Sequence, residues 1–195
     1  MELMLRVLVL LLVFLGMPVY AGSSTPVASF TSGFLHPLLA MDHIVVAVSV
    51  GMLCRMMLNR VVCLVPLAFL FFMMLGGIAG MLQISMPFVS FSVAASVIAI
   101  GILMAVDHQW PLSFIMAFVG ALAVFHGYAH GADMPERGQA IDYAIGFIAG
   151  TALLQLIGVG LGFCLNQFAA PTRLLRYTGG AVAAFGGYLV LALML

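Results

Sequence analysis

Phe125-His126-Gly127-Tyr128-Ala129-His130-Gly131-Ala132-Asp133 places two imidazoles and a carboxylate in nine residues at the end of a long apolar run. On a helix, His126 and His130 stand one turn apart, about 6 Å along the axis and on nearly the same face. Asp133 follows His126 by seven residues and returns to that face. Nitrogen and oxygen donors so spaced suit a borderline divalent cation. Ionisable groups in apolar surroundings are costly to place and point to a task.

A second such group lies near the start of the chain. Phe34-Leu35-His36-Pro37-Leu38-Leu39-Ala40-Met41-Asp42-His43 holds two histidines and an aspartate within eight residues. Pro37 disfavours helix at His36 and suits the first helical position, which predicts His36 at or before a helix cap. Asp42 and His43 are adjacent and point about 100° apart, so one can bind while the other orients it. His108, beside Asp107, reads as a solvated loop histidine, and Asp142 as an acid at a helix start. Cys54, Cys63 and Cys164 fall in no ligand motif, and the 15 methionines are scattered as apolar gap-fillers.

The elements that position these groups follow from composition. The chain has 195 residues, 65% hydrophobic and 6% charged, with a mean hydropathy of +1.28. A soluble domain carries roughly 25% charged residues. Six arginines and six acids cannot cover a water-facing surface, so the chain is an all-α integral membrane protein. Zero net charge and the absence of lysine leave no footprint for nucleic acid. Residues 1–21 carry Arg6, an apolar core and a Val-x-Ala end, the pattern of a cleavable signal peptide.

Residues 22–195 then read as one domain of six spans, near 34–54, 61–82, 89–106, 111–131, 140–164 and 176–195. With the mature N-terminus outside, inward loops hold Arg55, Arg60, Arg173 and, at a span edge, Arg176, and outward loops hold Arg137 alone. That balance obeys the positive-inside rule. The same orientation places His36, His43, His126, His130 and Asp133 in the outer half of the bilayer. The spans divide three and three with the ligand motifs on the first and fourth, which allows an inverted repeat. Gly127 and Gly131 invite close approach of a neighbouring helix, which would be a source of further ligands.

At these residues the chain resembles the HupE/UreJ family of small membrane proteins, regarded as nickel or cobalt permeases of hydrogenase and urease systems. The carrying motifs are His36-Pro37-Leu38-Leu39-Ala40-Met41-Asp42-His43 and Phe125 to Pro135, against family patterns of about HPxxGxDH and FHGxAHGxE. The likeness extends to the signal peptide, the six spans and the Gly-Phe-x-x-Gly-Thr stretch at 146–151. Ala40 replaces a usual glycine, Asp133 a glutamate, Ser90 an acid, and Gln155 a common histidine. The resemblance implies a nickel or cobalt transporter of a bacterial-type cytoplasmic (inner) membrane.

Together these features predict a permease that captures a hydrated cation with Asp133 and the outer histidines and passes it to His126, Asp42 and His43. The cation is nickel or cobalt, with zinc as a further candidate, and it is cargo; no prosthetic group is expected. Imidazoles must be neutral to ligate, so binding weakens below about pH 6.5. No ATP-binding motif is present, so energy would come from a gradient, intracellular trapping or an unidentified partner, with a homo-oligomer also open. The alternative is a membrane-embedded zinc-dependent hydrolase acting on lipid, although no serine lies in a nucleophile motif. Haem ligation is disfavoured, because His126 and His130 on one helix cannot sandwich a macrocycle.

Overall fold

The computed structural model describes residues 29–56, 64–106, 110–134, 139–165, 167 and 171–195. They form seven helices, with no strand among the described residues. The expected signal peptide lies outside them, as do His108, Arg60 and Arg137.

Helix α1 (Phe30–Leu39) starts at a reciprocal serine cap. The Ser32 N–H donates to Ser29 Oγ at 3.2 Å, and the Ser29 N–H donates to Ser32 Oγ at 2.9 Å. This cap corrects the expectation that Pro37 opens the first helix. Pro37 lies within α1, and His36 is a helical residue rather than one before the cap. The missing proline N–H falls near the helix end, and α1 stops two residues later. Ala40 is extended (φ −88°, ψ 108°), and α2 (Met41–Met56) leaves at 84° to α1. The span expected over 34–54 is therefore two helices, bent at Ala40.

Helices α3 (Leu64–Met81), α5 (Leu112–Ala132), α6 (Ala140–Leu165) and α7 (Pro171–Ala192) are each long and apolar enough to cross a bilayer. The bent α1–α2 pair makes a fifth candidate span, and α4 (Val89–Ala105) is apolar but shorter, with 17 residues. The result is a multi-pass, all-helical membrane protein. Five candidate spans among the described residues meet the length needed, against the six expected. Helix α7 begins at Pro171 rather than near 176, because proline fits the first helical position. Arg173, expected in a loop, consequently lies in its first turn, and Arg176 in the second.

Helix α3 packs on α5, and α4 packs on α7. The long α6 carries α1 along its first half and α2 along its second. Val46, Val50, Phe69, Val97, Ile100 and Val119 are fully buried between these layers. Leu67, Phe71, Ile78, Leu156 and Ile157 face outward, as lipid-facing positions do. A Cβ on Gly127 would run into the Met73 backbone, and one on Gly131 into that of Gly77. Glycine alone permits this approach. The neighbour is α3, which contains neither histidine nor carboxylate, so it is not the source of further ligands.

These contacts recur elsewhere in the bundle. Gly76 meets the Val124 backbone and Gly80 that of Tyr128, as Gly146 meets Phe30 and Gly150 meets Phe34. Gly127 meets Met73 as Gly33 meets Tyr143. One constant offset per helix relates the two sets, and it maps His36 and His130 onto each other. Between α4 and α7 the pattern is reciprocal, with Gly101 against Ala183 and Gly179 against Ala105. Such contacts are those of two three-helix units, α1–α3–α4 and α5–α6–α7, exchanged by a two-fold relation. Helix α2 stands outside the relation as an addition to the first unit.

Candidate metal centre

His126 and His130 lie one turn apart in the last two turns of α5, and both are buried. His43, in the first turn of α2, is buried beside them. Among the described residues, these three histidines offer ligand atoms that all lie within 4.8 Å of one another. A fourth ring joins from α1: His36 Nε2 is 2.8 Å from His130 Nδ1. The ring of His43 stands 4.9 Å from that of His130 and 5.7 Å from that of His126, between centroids.

The bend at Ala40 makes this gathering possible. Seven residues of continuous helix would set His43 about 10 Å beyond His36 along one axis. With α2 turned by 84°, both rings instead rest against His130, with centroids at 4.8 and 4.9 Å. The tiered arrangement expected from a straight first span is therefore replaced by a cluster around one ring.

The two carboxylates flank that cluster. Asp42 is half-buried in the first turn of α2, where a negative charge is favoured, and lies within electrostatic range of His36 and His126. Asp133 is exposed and caps the C-terminus of α5, within electrostatic range of His36 and Tyr143. Asp142 is half-buried in the first turn of α6.

Two hydroxyls that the motifs did not single out hold the innermost rings. His43 Nε2 is 2.9 Å from Thr151 Oγ1, which donates to the Phe147 carbonyl at 2.9 Å. His126 Nε2 is 2.6 Å from Ser96 Oγ, which donates to the Val93 carbonyl at 2.6 Å. The Nδ1 atoms of His43 and His126 are both buried without a hydrogen-bond partner. Thr151 ends the Gly-Phe-x-x-Gly-Thr stretch, whereas Ser96 carried only the weaker signal of a lone polar residue between Val93 and Ala105. Apolar walls come from Phe147, against His36, His43 and His130, and from Phe69, against His43 and His126.

The positions that depart from the family pattern occupy contrasting places. Ser90 is exposed in the first turn of α4. Gln155 is buried one turn beyond Thr151 on α6, and its Nε2 has no hydrogen-bond partner. A cavity of about 340 Å³ between α3, α5 and α6 also reaches His130; Met73, Met74, Ile78, Ile141 and Phe147 are among its walls.

Several nitrogen donors on three helices, enclosed by aromatic rings and flanked by carboxylates, form a site able to take a borderline divalent cation. The comparisons with known proteins agree with the motifs. The family profile described as HupE / UreJ protein matches residues 9–189. Protein HupE of Rhizobium leguminosarum bv. viciae is 35% identical over 159 residues, covering 82% of this chain and 83% of that protein. No solved structure matches. A profile spanning nearly the whole sequence, and a relative similar over most of both lengths, establish that the chain belongs to the HupE/UreJ family.

Proposed function

We propose that this protein is a secondary permease that carries nickel or cobalt inward across a bacterial-type cytoplasmic membrane, with its mature N-terminus outside. The observation that supports the reading most is the buried group of His43, His126 and His130, with ligand atoms within 4.8 Å. Neutral imidazoles suit nickel, cobalt and zinc, and the site offers no thiolate that would favour a softer ion. Membership of the HupE/UreJ family directs the choice toward nickel or cobalt.

In this mechanism Asp133 draws the hydrated cation to the exposed end of α5. Waters are then exchanged for imidazole nitrogens. The hydrogen bond between His36 and His130 opens when the nitrogens that share it turn to the ion. His43 and His126 receive the cation next, while Asp42 offsets its charge. Release on the opposite side follows a change in packing between the repeated units. The driving force is a gradient, intracellular trapping or an energising partner.

Nickel and cobalt accumulation in a transport-deficient host tests this reading. Cells carrying His43→Ala or His126→Ala should lose uptake while the wild type restores it. Unchanged uptake with both variants present in the membrane at wild-type amounts would refute the proposal.

A lipid hydrolase would share one feature with this molecule, the apolar cavity that reaches His130. Among the described residues its lining holds His130 and Tyr143 but no serine, aspartate or glutamate. The comparisons lend that alternative no support.

A further inference from the structure

We propose that Ser96 and Thr151 are positioning residues for the cation: each fixes its histidine in the Nε2–H tautomer and so presents a bare Nδ1 lone pair. The inference deepens the permease reading and rests on it for the identity of the ligand.

With each hydroxyl proton on a backbone carbonyl, donor count sets the direction of the contact to the ring. A hydroxyl has one proton and can accept through its lone pairs. Thr151 Oγ1 uses that proton on the Phe147 carbonyl, which can only accept. The contact between Thr151 Oγ1 and His43 Nε2 at 2.9 Å is then a hydrogen bond only if the imidazole donates. The same holds for Ser96, whose proton goes to the Val93 carbonyl while His126 Nε2 lies 2.6 Å away. A neutral imidazole with its proton on Nε2 has an unprotonated Nδ1.

The opposite tautomer has a specific cost. It would put an N–H on His43 Nδ1 and His126 Nδ1, atoms that are buried with no acceptor in reach. A buried donor without an acceptor loses the desolvation free energy of that group. An unfilled lone pair is instead what a metal ligand requires. The relay from imidazole to hydroxyl to carbonyl occurs twice, on unrelated helix pairs: α2 with α6, and α5 with α4. In both cases the carbonyl lies one turn back on the hydroxyl's own helix. Outer partners of this kind orient a ligand histidine and raise its basicity.

The test uses the full-length protein in detergent with ¹⁵N-labelled histidine, and Ni²⁺ as the probe. Metal-free wild type should show His43 and His126 as Nε2–H tautomers by ¹⁵N chemical shift, each assigned through its loss in a histidine variant. Thr151→Val keeps the side-chain shape but lacks the hydroxyl. It should loosen the tautomer at His43 alone and lower Ni²⁺ affinity by about 10–100-fold. Ser96→Ala should do the same at His126. Thr151→Ser, which restores the hydroxyl, should recover most of the affinity lost in Thr151→Val, with similar melting temperatures for the two. Nδ1–H tautomers in the wild type would overturn the proposal. So would a Thr151→Ser protein as weak as Thr151→Val, or wild-type affinity in Thr151→Val. If the wild type binds neither Ni²⁺ nor Co²⁺, the permease reading fails, while the tautomer measurement still decides the positioning role.

Discussion

The four clustered imidazoles differ in what surrounds them, and that difference sets their expected behaviour. His43 and His126 are enclosed completely, each with one nitrogen engaged and one without a partner. His36 and His130 share a hydrogen bond and so occupy each other until a ligand intervenes. Because a ligating imidazole must be unprotonated, Ni²⁺ should be released once the medium is acid enough to protonate these enclosed rings. Isothermal titration down a pH series checks this, and binding that survives protonation of the histidines, followed by their ¹⁵N shifts, would exclude histidine ligation. Asp42 is the carboxylate nearest in role to these rings, since its charge reaches both His36 and His126. Asp42→Asn should weaken Ni²⁺ binding with little effect on the melting temperature, because the half-buried side chain keeps its shape.

At the level of elements, the break at Ala40 and the glycine contacts of α5 do the positioning. The serine cap starts α1, and Ser29→Ala should destabilise the protein by about 0.5–2 kcal/mol through loss of an accepting oxygen. Against α3, a methyl group at Gly127 would meet backbone, which cannot rotate away as a side chain can. Gly127→Ala should therefore lower stability by about 1–3 kcal/mol or more. Gly160 provides the comparison, since a Cβ there meets nothing within 4 Å. Gly160→Ala should be neutral or stabilising by up to about 1 kcal/mol, as helix propensity favours alanine. Thermal unfolding in detergent distinguishes these outcomes. Equal tolerance of alanine at 127 and 160 would show that the close approach to α3 is not required.

For the whole molecule, the recurrent contacts give a repeat in which His36 and His130 occupy equivalent positions. A ligand held between such positions sits where two like units meet, as expected for a site exposed alternately to either side. Equivalent substitutions should then have matched effects. Gly76→Ala and Gly146→Ala, which face the Val124 and Phe30 backbones, should lower the melting temperature by similar amounts. A large effect at one and none at the other would dissolve the equivalence. Helix α2 breaks the symmetry. It contributes His43 and Asp42 to one side only, so the histidine cluster is centred on the repeat but is not itself symmetric.

Composition by itself determined that this chain belongs in a membrane as helices, because six arginines and six acids over 195 residues leave no other solvent for its surface. The spacing of His126 and His130, and the motif from His36 to His43, likewise marked the candidate ligands and the family before any fold was known. Local sequence did not show that the first span bends, since the effect of Pro37 depends on where the serine cap starts the helix. Nor did it identify Ser96 or Thr151, whose hydroxyls matter only because α4 and α6 bring them to rings on α5 and α2. Periodicity reports which residues share a helix face. Which faces meet is decided by contacts between distant segments, and these gathered four histidines around one point.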